Sequence, residues 1–90
     1  MTEQEINTRI RIYSAEHGVQ PDDIYVIPKN ELVEGETYSG ECRNASEAVW
    51  NGSKFTYDRY KFGTWFKEDI NHFEDDDGYD VFVPMQIIKS

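Results

Sequence analysis

Apolar positions fall into two regimes along this chain. Near the start, Ile6, Ile10, Tyr13 and His17 recur at helical spacing, and Thr2 with Glu5 forms a capping box at the head of that stripe. Gly18 is a natural stop, with Pro21 soon after. The pattern predicts a helix over 2–17. A strand through Arg9-Ile10-Arg11-Ile12-Tyr13, where apolar and charged residues alternate, is the competing reading.

Further on the period becomes that of strands. Residues 24–27 are a short β-branched run closed by Pro28. Residues 37–43 form a strand candidate interrupted by Gly40, which marks a bulge or a close backbone approach. Asn51-Gly52 is a favoured type I′ pair, because both central residues of that turn need positive φ. Side chains alternate away from such a loop, so Ala48, Trp50, Phe55 and Tyr57 line one side. Glu47, Val49, Lys54, Thr56 and Asp58 line the other. The first set is the expected core face. The same phase puts Arg59 and Lys61 on the core side unless a bulge flips it after Asp58. Gly63 then ends the strand, and residues 64–70 read as a strand or a turn of helix. From 79 to 85, Val81, Val83 and Met85 alternate inward with Asp80 outward. Pro84 cannot donate to a ladder, so this strand is expected at an edge or to finish there.

These elements make one domain over 1–90, with the helix at 2–17 and a β-rich part at 24–88. The expected class is α+β: a short N-terminal helix, then a small curved antiparallel sheet of about five strands. A sheet this small and aromatic is expected to curl into an open SH3-like barrel, which reduces its edges.

Composition narrows the function. Ninety residues support one core, burying only roughly 60–65% of the unfolded surface. Phe, Trp and Tyr are 14% of the chain, so aromatics supply much of that core. The formal net charge is −9, from 18 acidic and 9 basic residues. That balance argues against direct binding to nucleic acid or to anionic membranes, and suits a partner with a basic groove. The single Cys42 excludes an internal disulfide, and no run approaches a membrane span. A cytoplasmic protein is expected.

The run "HFEDDDGYDVFVP" raises the question of chemistry. As a calcium loop built around Gly78 it fails, because Phe73 and Pro84 would occupy the first and last ligand positions. Two readings remain. One is a solvated loop whose charges guard the next strand against edge pairing. The other is a recognition surface of Glu68, Asp69, Glu74, Asp75, Asp76, Asp77 and Asp80, which no Lys or Arg interrupts. Such carboxylates can imitate a phosphate track and attract a basic cleft. Catalysis has little support: Cys42 could work with His17 or His72 only if the fold joined them. No phosphate loop, serine elbow or zinc spacing occurs. A non-enzymatic protein without cofactor or metal is expected. A second set, Arg43, Asn44, Trp50, Tyr57, Arg59, Tyr60, Lys61 and Trp65, places cations beside aromatics. It could clamp a planar anionic ligand such as a nucleotide second messenger, across a homo-oligomer interface. Its bland reading is that these cations neutralise neighbouring carboxylates.

"GECRNASEAVWNGSKFTYDRYKFG" followed by "INHFEDDDGYDVFVP" resembles a family of small bacteriophage proteins. The likeness runs roughly from Gly40 to Pro84 and leaves out the helix. It implies a phage-encoded accessory protein in the host cytoplasm, an inhibitor of a host defence protein such as a CRISPR system. No catalytic residue is implied.

Overall fold

Thr2 caps the N-terminal helix, its Oγ1 accepting from Glu5 N at 3.2 Å, and Gly18 closes it with φ 65°. The helix is α1 (Glu3–His17), so the alternation at 9–13 is helical. The computed structural model describes residues 1–78 and 80–88. After α1 come β1 (Ile24–Val26), β2 (Thr37–Glu41), β3 (Glu47–Trp50), β4 (Phe55–Lys61), β5 (Thr64–His72) and β6 (Val81–Ile87). The fold is α+β, with one α-helix and a six-stranded, mostly antiparallel sheet among the described residues. The segment 64–70 is strand, and the candidate at 37–43 stops at Glu41.

The sheet order is β1-β6-β2-β3-β4-β5, and β5 also meets β6. That contact is parallel, Asn71 opposite Val81 and His72 opposite Phe82. The sheet therefore curls until its last strand reaches its second. Inside lie Ala48, Trp50, Phe55, Tyr57, Ile70 and Phe82. Phe55 and Phe82 are fully buried with ring centroids 4.5 Å apart; burying such a side chain contributes roughly 1.5–3 kcal/mol.

The face predicted around Asn51-Gly52 is correct, but the loop is not. Trp50 pairs with Phe55, so four residues turn the chain rather than two, and Asn51 N donates to Lys54 O at 2.9 Å. Asn51 does not take positive φ. Its Oδ1 instead accepts from Ser53 N at 2.9 Å and Lys54 N at 2.8 Å, an Asx turn. Two extra loop residues shift the register by two, which leaves every side chain on its expected face. The two-residue turn lies at Phe62-Gly63, with φ 52° and 77°, between the paired Lys61 and Thr64. From Phe55↔Ile70 to Lys61↔Thr64 the register runs unbroken, so no bulge rescues Arg59 and Lys61 from the core side.

β6 is neither an edge strand nor finished at Pro84, since it runs on to Ile87. It pairs with β2 on one side and with β5, then β1, on the other. Phe73 N donates to Phe82 O and Ile27 N to Pro84 O. Alternation therefore aims the absent N–H of Pro84 at the gap where β5 hands over to β1. Both faces of β6 are buried: Phe82 points into the curled sheet, while Val83 and Met85 pack beneath Tyr13 of α1. The inward set Val81, Val83 and Met85 thus faces the helix side. Tyr79 lies outside the described residues.

Gly40 sits opposite Pro84, and its own N–H goes to Ser46 O of the other neighbour. A pair without mutual hydrogen bonds brings backbones closest. A Cβ here would collide with the Val83 carbonyl and lie 2.9 Å from the Phe82 ring. The close-approach reading of Gly40 holds.

Candidate functional site

β3 leaves β4 at the Val49↔Thr56 pair, and β6 joins β5 only at Asn71 and His72. Residues between these points have each other and no outer neighbour. They form a two-stranded arm, its tip at Phe62-Gly63. On the core-facing side of its base, alternation puts Tyr57 opposite Glu68 and Arg59 opposite Phe66. The β2–β3 loop comes up across from them. Buried Cys42 pins that loop, its Sγ donating to Ala45 O at 3.3 Å, and leaves Arg43 and Asn44 exposed. Together with Asp69, Ile70 and Asp80 these residues line a cleft of about 590 Å³.

Glu68 is the centre of its hydrogen bonding. The Tyr57 hydroxyl donates to Oε2 at 2.7 Å, and Arg59 Nη1 donates to Oε1 at 3.2 Å. The Tyr57 bond first, then Arg59, holds the Glu68 carboxyl below the usual carboxylate range. Burial, then the bond to Glu68, pushes the Tyr57 hydroxyl up. Among the described residues no carboxylate lies within ion-pair distance of Arg43, and no Lys or Arg pairs with Asp69 or Asp80. The cleft thus offers a free guanidinium beside Asn44 at one wall and two free carboxylates at another. That arrangement suits a ligand carrying both an anionic group and donors, and penalises a polyanion.

Of the predicted ligand set, Arg43, Asn44, Tyr57 and Arg59 meet in this cleft. Trp50 does not: it is core, against Phe55 at 4.9 Å between centroids. Tyr60, Lys61 and Trp65 are exposed on the arm instead. The acidic set divides as well. Glu68, Asp69 and Asp80 line the cleft, while Glu74, Asp75, Asp76 and Asp77 occupy the turn after β5. Lys29 reaches that turn, its backbone N donating to Glu74 Oε2 at 3.3 Å and its Nζ to Asp75 Oδ1 at 2.9 Å. Asp76 accepts from Gly78 N at 2.8 Å and Asn71 Nδ2 at 3.2 Å, which holds its pKa down. Asp77 Oδ1 lies 3.5 Å from the Met1 amino group. Lys29 carried no local signal, since it stands over forty positions from the acids it meets. Phe62 and Phe66 were also missed, although an aromatic next to a glycine turn in "KFGTWF" is a sequence signal of an exposed tip.

Cys42 meets neither histidine. His17 stacks on Tyr13 at 4.0 Å, and His72 is fully buried beside Trp50, Phe55 and Phe73. Burial pushes the Cys42 thiol up, away from the thiolate that chemistry would need. Among the described residues, no three of His, Cys, Asp and Glu gather as a metal site, and no helix is long and apolar enough to cross a membrane.

Comparison with known protein families, curated proteins and solved structures finds no match for this chain.

Proposed function

We propose that this chain is a non-enzymatic binding protein that occupies the basic cleft of a partner with its acidic surface. The observation that carries this reading is how little of the acidity is neutralised internally. Of the seven acidic positions from Glu68 to Asp80, Glu68 and Asp75 pair with a Lys or Arg and Asp77 with the N-terminal amine among the described residues, which leaves four without a cationic partner from Lys, Arg or the N-terminus. Glu74, Asp76 and Asp77 stand exposed on a turn whose base is fixed by buried His72. Pre-set charges of one sign steer a basic partner without the cost of ordering a loop. The motifs from Gly40 to Pro84 extend the proposal to a phage-type inhibitor of a host defence protein, acting in the host cytoplasm. Glu74→Lys with Asp77→Lys tests it. A partner captured from host lysate should bind the variant at least about tenfold more weakly, and salt should weaken the wild type steeply. Unchanged affinity in a folded variant rejects the acidic turn as the recognition surface.

A second reading is supported by the convergence of Arg43, Asn44, Tyr57 and Arg59 in one cleft. It is a sponge for a nucleotide signal whose single phosphate meets Arg43 and Asn44 while base amino groups meet Asp69 or Asp80. Cyclic and linear mononucleotides should then raise the melting temperature, and Arg43→Ala should abolish the shift. A flat response across that panel disposes of this reading.

A further inference from the structure

We propose that His72 is a proton-operated latch beneath the acidic turn. When Nδ1 takes up a proton, the turn lets go of the ring and the Glu74 carboxylate swings inward to it. The latch joins two segments that only folding brings together. His72 ends β5 and is fully buried, its ring centroid 4.4 Å from that of Phe73, 6.1 Å from Phe55 and 6.3 Å from Trp50. Nε2 lies 3.1 Å from Ile27 O, and Nδ1 lies 3.1 Å from Glu74 N. A carbonyl only accepts and an amide N–H only donates, so the neutral ring suits both neighbours with its single proton on Nε2. The ring thereby ties the segment after β1 to the first acid of the turn. Lys29 makes the same tie from outside, its backbone N donating to Glu74 Oε2 and its Nζ to Asp75 Oδ1. Glu74 is held at both ends, by its N–H and by its carboxylate.

One proton reverses the inner tie. An imidazolium donates from both nitrogens, so Nδ1–H would face the Glu74 N–H across 3.1 Å. Two buried donors cannot share that space, and each needs an acceptor. Glu74 Oε2 is 4.0 Å from Nδ1. It has only to close to about 2.8 Å to form a charge-assisted bond, while its own N–H turns outward to water. The other charged groups around the ring are Asp75 on the turn and Lys29 on the segment after β1. The neighbours from β3, β4 and β6 are Trp50, Phe55 and Phe82, which carry no charge. Glu74 is therefore the acceptor that the proton recruits, and Lys29 N loses it. Burial holds the ring neutral, with the Ile27 bond, then Glu74 and Asp75, pulling the other way. The latch stays shut at neutral pH and opens below the ordinary histidine range. In acid the surface then presents one carboxylate fewer and one buried cation more, which weakens its pull on a basic cleft. That last consequence rests on the acidic turn being the recognition surface; the latch itself belongs to the free chain.

Amide hydrogen exchange on the free chain tests it, followed by NMR as pH falls from about 7.5 until the His72 ring has titrated. The Glu74 and Asp75 amides should lose at least about tenfold in protection in step with the ring. The amides of Trp50 and Gly40, bonded to Glu36 O and Ser46 O, should keep theirs. His72→Gln should remove the pH dependence of the turn. Should that variant fail to fold, Glu74→Gln serves instead: it keeps the N–H but removes the recruited charge, so its opening should move to lower pH. A ring that titrates while the turn stays protected overturns the latch. So does a turn that opens only together with Trp50 and Gly40, or a Glu74→Gln midpoint at or above that of wild type. None of these readings involves a partner, so they stand apart from the binding test on Glu74→Lys with Asp77→Lys.

Discussion

His72 is held by two hydrogen bonds that fix its tautomer. Glu74 N–H donates to Nδ1 at 3.1 Å, so the proton is on Nε2, which donates to Ile27 O at 3.1 Å. Adding a proton at Nδ1 would displace the Glu74 bond inside an aromatic core. Burial lowers the pKa, and the bond to Ile27 O, then the Glu74 carboxylate 4.0 Å away, offset it only in part. The unfolded chain therefore takes up the proton first. Stability from His72 is full above about pH 6.5 and is lost as pH falls from there towards the lower folded value. Denaturation midpoints should decline as pH falls below about 6.5 in the wild type and less so in His72→Gln. Gly40 is the other position where a few atoms decide much. Gly40→Ala should destabilise by about 1–3 kcal/mol in urea unfolding, because a methyl meets the Val83 carbonyl and the Phe82 ring. A neutral result would mean that β2 and β6 separate easily.

The two hairpins show how turn chemistry and strand pairing divide the work. Asn51-Gly52 carries the better type I′ signal, yet Asn51 spends its side chain on Ser53 N and Lys54 N and stays out of the left-handed region. Phe62 takes positive φ instead, where an aromatic is disfavoured by about 1–2 kcal/mol and Asn is not. Phe62→Asn should raise stability in urea unfolding by up to about 1 kcal/mol. A less stable variant would show that the Phe62 ring packs on its own arm. Strand parity survived the wrong loop because two-residue and four-residue loops differ by an even number. β6 misled for a different reason. "VFVPM" reads as alternation if Phe82 is ignored, but as a continuous apolar run it signals a strand buried on both faces.

Electrostatics acts over the entire protein. With a net charge of −9 on the chain, self-repulsion outweighs the few surface ion pairs, each worth about 0–1 kcal/mol. Raising salt from about 0.01 M to about 1 M shortens the screening length from about 30 Å to 3 Å. The melting temperature should therefore rise with salt; a fall would mean that the pairs at Lys29 and Arg59 matter more than the net charge.

What the amino-acid order determined alone is what depends on near neighbours. The cap at Thr2 and stop at Gly18, the helical stripe, and the shared face of Ala48, Trp50, Phe55 and Tyr57 all follow from interactions within a few residues. The tertiary structure decided which strands met: β6 between β2 and β5, Lys29 against Asp75, and Arg43 across from Glu68. Those contacts join segments tens of residues apart. They depend on burying both faces of one apolar strand at once, a condition that no short window of sequence contains.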